Sequence, residues 1–272
     1  MTMIRIRNLH KTFNAGSLDQ VTALKEIDLD IAEFEFITII GTNGSGKSTL
    51  LNTIAGNISP EKGTIEINGR DVTRKMDFQR AQYIARVFQN PYSGTAPGMT
   101  IAENLLMAWF RGRKRYPVIS LKGALKNQFR QSLAFLDMQL EDRLENLMGT
   151  LSGGQRQAIT LLMAVLQTPK VLLLDEHTAA LDPKTAAQVI RLTHKFVTAH
   201  HLTTIMVTHS MQHALELGTR IIMMHNGRII DDISEKDKKN LTIEDLLNKF
   251  EDIRKSEKLT PDMMETLKKL YK

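Results

Sequence analysis

Cysteine is absent from the 272 residues of the chain. Its absence excludes disulfide bonds and a thiol nucleophile, and it is compatible with a reducing cytoplasm. Long apolar runs are also missing, because no stretch approaches the roughly 20 consecutive apolar residues that a membrane-spanning helix needs. The first residues alternate between apolar and polar types, instead of forming the apolar block of a signal peptide. We therefore expect a chain that does not cross a bilayer by itself and carries no signal peptide.

Negative charge is missing from one part of the chain. Residues 104–136 contain seven Lys and Arg residues and no Asp or Glu. The positive charge of this segment is therefore larger than the net charge of the whole chain, which is +6. Such a block can meet nucleic acid or anionic lipid, or it can be the solvated face of one subdomain. Aromatic residues are sparse there, which disfavours binding of single-stranded nucleic acid by stacking. No nucleic-acid partner is expected.

Two kinds of strand pattern occur along the chain. Residues 4–7 and 27–31 alternate apolar and polar side chains, and residues 63–67 precede the turn pair Asn68-Gly69. These patterns predict a small antiparallel sheet near the amino end. Continuous apolar runs instead predict strands that are buried on both faces, as in a parallel sheet. Such runs occupy residues 36–40, 171–174, 204–207 and 220–224, the last turning at Asn226-Gly227 into residues 228–230.

Helical stretches separate these strands and predict an α/β fold with a mostly parallel sheet. They occupy residues 47–55, 101–110, 121–138 and 154–166. The helix-rich insertion at about residues 91–165 indicates an inserted helical subdomain. Two further helices are predicted over residues 241–250 and 261–270, joined by polar residues 254–258. They indicate an appended C-terminal helical tail over residues 237–272.

A phosphate-binding loop lies between the first continuous apolar run and the helix after it. Residues 41–48 fit the pattern G-x4-G-K-[ST], in the strand–loop–helix setting that this motif requires. The glycines let backbone N–H groups turn towards phosphate oxygens, and the helix directs its positive end at the same anion. Lys47 supplies charge for the β- and γ-phosphates, and Ser48 is placed to bind Mg²⁺. The nucleotide-binding residues predicted here are Gly41, Thr42, Asn43, Gly44, Ser45, Gly46, Lys47, Ser48 and Thr49.

Two adjacent acids, Asp175 and Glu176, follow the second continuous apolar run. A carboxylate at the end of a buried strand, behind a phosphate-binding loop, can hold Mg²⁺ directly or through water. We assign that role to Asp175. The next carboxylate can orient and deprotonate an attacking water, so Glu176 is the candidate general base.

A second anion-binding surface is predicted at residues 151–155, which read LSGGQ. Ser152 and the two glycines after it offer hydroxyl and N–H donors at the start of a helix. One chain with two phosphate-binding surfaces indicates a nucleotide held between two copies of the chain. The residues assigned to this surface are Ser152, Gly153, Gly154 and Gln155.

This LSGGQ segment resembles the signature motif of the ABC ATPase family, and the rest of that family's pattern follows in the expected order. By this resemblance, Gln89 reaches Mg²⁺ and the attacking water and senses a transmembrane partner. His209 holds the γ-phosphate, and Asp182 belongs to a loop that contacts the opposite subunit. Phe13 stands where the family has a ring that stacks on adenine, although an aromatic residue there can also be core. The resemblance covers about residues 3–235, so an ABC ATPase domain is predicted over residues 1–236.

The chain departs from the family pattern directly after the two acids. Where the family usually has Pro-Thr-Ser, this chain has His177-Thr178-Ala179. One hydroxyl contact across the dimer is thereby lost, whereas Asp182 remains. We interpret His177 as a neighbour in the loop at the sheet end and not as a catalyst. Because Glu176 and His209 are both present, we expect a site that hydrolyses ATP, and not a module that only binds it.

Among ABC proteins, the resemblance favours a separate ATPase subunit of a bacterial-type importer. Soluble members that act on ribosomes or DNA generally carry two nucleotide domains or a long coiled-coil insertion, and this chain has neither. The family implies ATP and Mg²⁺, a second copy of the chain or a homologous ATPase subunit, and membrane-spanning permease subunits. It also implies an extracellular or periplasmic substrate-binding protein and a peripheral position at the cytoplasmic face of the membrane. Residues 89–97 and 175–184 resemble a subgroup of ATPases for tryptophan/tyrosine-type uptake.

Overall fold

The computed structural model describes residues 1–112 and 123–258, with side chains up to residue 250. The fold is α/β and contains two sheets, as the sequence predicts. Within the described residues, no helix is both long and apolar enough to cross a membrane.

An antiparallel sheet of four strands lies at the amino end of the chain. In sheet order its strands are β2 (Val21–Ala32), β1 (Thr2–Phe13), β4 (Lys62–Ile67) and β5 (Arg70–Asp71). Strand β1 lies between two partners, so that Ile6 pairs with Leu29 on one side and with Ile65 on the other. The turn between β4 and β5 is at Asn68-Gly69, where both residues have positive φ. The antiparallel sheet predicted from alternation is confirmed.

A six-stranded, mostly parallel sheet carries the candidate site. In sheet order its strands are β10 (Arg228–Ile233), β9 (Arg220–His225), β3 (Phe36–Gly41), β8 (Thr203–Val207), β7 (Val171–Asp175) and β6 (Ile84–Val87). All neighbouring strands are parallel except β10 and β9. The carboxyl ends of β3, β7 and β8 therefore meet at one edge of the sheet. That edge brings the phosphate loop close to the two acids.

Nine helices connect or follow these strands in the described part of the chain. They are α1 (Lys47–Ala55), α2 (Asp77–Arg80), α3 (Ile101–Trp109), α4 (Gly123–Ala134), α5 (Gly153–Val165), α6 (Pro183–His200), α7 (Met211–Leu217), α8 (Glu235–Lys238) and α9 (Ile243–Lys258). Helix α1 has the predicted bounds and ends at Gly56, whose φ of 90° is left-handed. The predicted helix over residues 121–138 is wrong at its carboxyl end, because α4 stops at Ala134. Asp137 and Gln139 both have left-handed φ, which a helix cannot continue through; residues 121 and 122 lie outside the described part.

The strands of the parallel sheet are buried on both faces. Leu173 of β7 belongs to an apolar cluster that also contains side chains of the antiparallel sheet and of α1. Its neighbours Leu172 and Leu174 belong to a second cluster, which contains side chains of α3, α4, α5 and α6. Because successive side chains of a strand point to opposite faces, β7 is fixed between two cores. Its last residue, Asp175, therefore has a well-defined position.

The tail prediction is corrected in one part. Helix α9 runs through residues 254–258, which the sequence analysis assigned to a polar joint between two helices. Neither Gly nor Pro interrupts this segment, and Lys, Arg and Glu are good helix formers. Leu246 and Phe250 pack against apolar residues of α7, β9 and β10, so this helix is attached to the six-stranded sheet. The second predicted tail helix, residues 261–270, lies outside the described residues.

Candidate active site

The phosphate-binding loop connects β3 to α1 at the carboxyl edge of the sheet. Gly46 closes the loop with a left-handed φ of 99°, and its carbonyl accepts the first helical hydrogen bond from Leu50. A Cβ atom at Gly46 would lie 2.3 Å from the carbonyl oxygen of Ala23, so a side chain cannot be placed there. Glycine is therefore required by both conformation and space. The loop is held against β2, which supplies the Ala23 carbonyl.

Lys47 is buried at the start of α1 and folds back into the loop. Its ammonium donates hydrogen bonds to the carbonyl oxygens of Gly41 at 2.9 Å and Thr42 at 3.0 Å. Burial lowers the pKa of Lys47, while the nearby carboxylates of Glu176 and Asp175 act in the opposite direction. A buried ammonium of this kind is stabilised further by an anion, which is what a nucleotide phosphate supplies.

Asp175 lies next to Ser48, as expected for a shared metal site. The Ser48 hydroxyl donates to Oδ1 of Asp175 over 3.3 Å. Hydroxyl and carboxylate oxygens are the hard ligands that Mg²⁺ prefers, so the donor set fits this ion. Among the described residues, no cluster of three or more His, Cys, Asp or Glu side chains could hold a metal by itself. An ion here would therefore need phosphate oxygens or water as further ligands.

Glu176 and His209 are in direct contact. Oε1 of Glu176 lies 2.6 Å from Nε2 of His209, and the glutamate side chain is the more buried of the two. Glu176 has a left-handed φ of 46°, which is a strained conformation for a residue with a side chain. Its N–H donates to the carbonyl of Val207, the last residue of β8. The backbone after β7 and β8 thus places the candidate base and the histidine together.

One cavity of about 370 Å³ joins the phosphate loop, Glu176 and His209. Phe13 and Val21 belong to the antiparallel sheet and line one side of the cavity. Phe13 is 36% exposed, so it is not part of a core. A ring at the mouth of a phosphate site offers a face for a nucleotide base. The lining residues are Phe13, Val21, Ala23, Asn43, Gly44, Ser45, Gly46, Lys47, Ser48, Thr49, Glu176 and His209.

Several predicted residues of the site do not line this cavity, among them Asp175 and those on three other segments, at Ser152, Asp182 and Gln89. Ser152 is exposed at the start of α5, where its hydroxyl accepts a hydrogen bond from the N–H of Gln155 over 3.3 Å. Asp182 caps α6 in the same way, by accepting from the N–H of Thr185 over 3.1 Å. Hydrogen bonds from the side chain of Thr185, and secondarily from its backbone, lower the pKa of Asp182. Gln89 is exposed, two residues beyond the end of β6. A single chain therefore brings the phosphate loop, Phe13, Glu176 and His209 together around one cavity, which Ser152, Asp182 and Gln89 do not line.

Arg86 is a member of the site that the sequence analysis missed. Its guanidinium donates to Oδ2 of Asp175 over 2.7 Å. The signal available in the sequence was a lone arginine inside the apolar strand β6. Without the neighbouring strand, nothing indicated that the carboxylate of Asp175 would lie within reach.

His177 lies in the loop at the sheet end, as interpreted from the sequence, and it is fully buried. Its Nε2 lies 3.0 Å from the hydroxyl of Thr193 on α6. That hydroxyl donates to the carbonyl of Val189, so it accepts from His177. Burial, and secondarily the charge of His213, lowers the pKa of His177 from 6.5 to about 4.

The buried His177 makes folding sensitive to acid. Because its pKa of about 4 in the folded chain is below the unfolded value of 6.5, stability is intact above pH 6.5 and falls as the pH drops towards 4. The loss attributable to this one group is roughly 3 kcal/mol. We expect His177→Asn to lose less unfolding free energy between pH 7 and pH 4.5 than the unsubstituted chain, measured by urea unfolding. Equal losses would show that His177 is not the responsible group.

Comparison with known protein families and chains gives a consistent result. A family model described as ABC transporter matches residues 24–179. A tyrosine transport ATP-binding protein of Clostridioides difficile is 44% identical over 252 residues, covering 92% of this chain and 99% of that protein. A phosphonates import ATP-binding protein of a Ruegeria species is 32% identical over 241 residues, covering 85% of this chain and 88% of that protein.

Solved structures of similar chains show the same fold. A dimeric ATP-binding cassette, in a post-hydrolysis state with ADP and Pi bound, is 30% identical and superimposes with a TM-score of 0.72. That comparison covers 86% of this chain and 99% of the cassette. A second cassette of an ABC transporter, in its ADP conformation, is 27% identical with a TM-score of 0.73, covering 88% of this chain and 94% of that cassette.

Proposed function

We propose that this chain, which belongs to the ABC transporter family of ATP-binding proteins, hydrolyses ATP to drive import of a small solute through a separate permease. The observation that carries the proposal is the contact between Glu176 and His209 in the cavity that the phosphate loop lines. The names of the relatives, which are transport and import proteins, support this role over a soluble one on ribosomes or DNA. The tyrosine transport relative favours an aromatic amino acid as the solute.

The active form is a head-to-tail dimer of two copies. In one chain the signature residues lie outside the cavity, so the phosphate loop of one copy needs the second anion-binding surface from another. Ser152, Gly153 and Gly154 of one copy would cover the nucleotide bound by its partner, with Asp182 at the contact between them. Dimeric cassettes among the similar structures support this arrangement.

Glu176 performs the chemical step as a general base. It accepts a proton from the attacking water while that water's oxygen bonds to the γ-phosphorus and the bond to ADP breaks. His209, at 2.6 Å, orients the carboxylate and can donate to the phosphate that forms. Lys47 and the N–H groups of the phosphate loop stabilise the negative charge of the transferred group. Phe13 supplies a ring for the adenine.

Mg²⁺ is proposed as the ion that accompanies ATP. Ser48 and Asp175 would hold it, and Gln89 is the third residue that the sequence assigns to it. When bound, the ion neutralises charge on the β- and γ-phosphate oxygens. Gln89 lies two residues beyond β6, the parallel neighbour of β7, and this supports its assignment beside Asp175.

The permease is proposed to dock in a groove beside β6, an outermost strand of the parallel sheet. The groove has a volume of about 430 Å³, and Phe88, Gly94 and Met107 are among its lining residues. Phe88 precedes Gln89 directly, so an occupant would touch the segment that carries Gln89. Phe78 also lines the groove and is 69% exposed, although it is a large apolar residue. An exposed apolar surface of this kind is typical of a protein-binding site.

The docking proposal predicts that Phe78→Glu separates the chain from its membrane partner. A tagged chain, purified from its own cells in mild detergent, should carry a polytopic membrane protein identifiable by mass spectrometry. Phe78→Glu should reduce that recovery about tenfold, because it places a charge in an apolar contact. Phe34→Glu is the matched control, since Phe34 is 63% exposed and does not line the groove. Recovery of ribosomes instead of a membrane protein would overturn the import role.

The basic residues between positions 104 and 136 are only partly described by the structure. Arg113, Lys114, Arg115 and Lys122 lie outside the described residues. Two of the described basic residues are already engaged within the chain, since Arg111 donates to the carbonyl of Ala164 and Lys126 pairs with Glu145. We propose that the chain works at the cytoplasmic face of the membrane, with a substrate-binding protein on the other side.

A further inference from the structure

Arg86 is a charged residue in an otherwise apolar strand, and it lies beside the carboxylate assigned to the metal. Its Nη2 donates to Oδ2 of Asp175 over 2.7 Å, and each of these two side chains is only 12% exposed. The other oxygen, Oδ1, accepts from the Ser48 hydroxyl. One oxygen of Asp175 is thus held by a fixed positive charge, and the other lies at the phosphate loop.

The guanidinium is fixed by more than this ion pair. Nη1 donates to the side-chain oxygens of Asn52 at 2.5 Å and Asn57 at 3.3 Å. Its central carbon lies 4.7 Å from the centre of the Phe88 ring. Asn52 in turn donates to the carbonyl of Ser48 over 2.7 Å. Arg86 therefore connects α1, β6 and β7 where the metal-binding residues lie.

Stability alone does not account for this arrangement. A buried ion pair often adds no net stability compared with apolar side chains of similar volume. Its electrostatic effect, however, falls on one particular group. A positive charge at one oxygen of a carboxylate opposes the binding of a cation at the other oxygen, and the opposition is stronger in a buried site than in water.

We infer that the positive charge of Arg86, held at one oxygen of Asp175, weakens the binding of Mg²⁺ to the nucleotide site. The inference rests on the proposed function, because it takes Asp175 as a ligand of the nucleotide-bound ion. A purely structural role for Arg86 predicts the opposite change on substitution. Loss of the arginine would then leave Asp175 poorly placed, and Mg²⁺ would bind less well.

Fluorescent ATP binding with and without Mg²⁺ distinguishes these roles. The ratio of the Kd in EDTA to the Kd in saturating Mg²⁺ reports how much more tightly the ion binds to protein-bound ATP than to free ATP. In the Glu176→Gln background, where ATP is not consumed, we expect Arg86→Met to raise this ratio roughly 3- to 10-fold. Arg86→Lys keeps a positive charge and should leave the ratio near that of Arg86. A ratio that is unchanged or lower in Arg86→Met overturns the inference.

Two controls make the result specific. Arg111→Met removes another partly buried arginine from the same groove, but Arg111 bonds to a carbonyl and not to Asp175, so the ratio should not change. In an Asp175→Asn background, Arg86→Met should change the ratio less, because the part of the effect that acts through the carboxylate is gone. An undiminished effect there would show that Arg86 does not act through Asp175. Failure of the Glu176→Gln chain itself to bind ATP would count against the proposed function instead.

Discussion

Replacing Glu176 by glutamine is expected to lower steady ATP turnover between about 100- and 10,000-fold, while ATP binding is retained. The amide has the shape of the carboxylate but cannot accept a proton from water. The phosphate loop and Lys47 are unchanged, so the nucleotide should still bind. The measurement is phosphate release in parallel with binding of a fluorescent ATP analogue.

The control for this prediction is Glu216→Gln. Glu216 is an exposed residue of α7 that accepts a hydrogen bond from Gln212, and its substitution makes the same chemical change away from the cavity. Its turnover should equal that of the unsubstituted chain. A normal rate in Glu176→Gln would show that another group is the base. Loss of binding in Glu176→Gln would show that Glu176 contributes to the nucleotide pocket and would leave its chemical role without support.

Replacing Ser152 by glutamate is expected to lower ATP turnover by about as much as Glu176→Gln does, although Ser152 lies outside the cavity of its own chain. The substitution puts a carboxylate where the phosphate bound by the second copy would lie, and like charges repel. Binding of ATP to the phosphate loop of the same chain should persist. In the Glu176→Gln background, ATP should no longer produce a dimer detectable by size-exclusion chromatography with light scattering.

Ser234→Glu is the matched control for this second prediction. Ser234 is also an N-cap serine, which accepts from the N–H of Asp237 at the start of α8. Either substitution should cost about 1 kcal/mol of stability through the lost cap. Only Ser152→Glu should affect turnover and dimer formation. Equal behaviour of the two variants would mean that the signature segment of this chain has a capping role alone.

Most of the fold could be predicted from local patterns. The alternation in β1 and β2 and the continuous apolar runs of β3 and β7 depend on which faces of a strand are buried, and this information is local. The end of α4 and the continuous helix at residues 254–258 were mispredicted. Polarity alone does not mark a joint between helices, and the left-handed turn at Asp137 carries no glycine signal.

Short motifs are the parts of the candidate site that a sequence makes visible. Residues 43–49 of the phosphate loop and Glu176 line one cavity, and Asp175 lies beside Ser48. Arg86 was missed because its partner Asp175 is 89 residues away along the chain. The hydrogen bond between His177 and Thr193 likewise depends on the packing of α6 against the sheet. Contacts between distant segments of this kind leave no periodic pattern in the sequence.

Mixing two inactive variants tests most directly whether each nucleotide site is shared between two copies of the chain. Lys47→Ala damages the phosphate loop and Ser152→Glu damages the signature surface, so each variant alone should form no working site. In a mixed dimer, one site combines both defects and the other combines an intact phosphate loop with an intact signature surface. Random mixing should restore about a quarter of normal ATP turnover, since half the dimers are mixed and each has one intact site. Activity no greater than that of the two separate variants would contradict a nucleotide site shared between two copies.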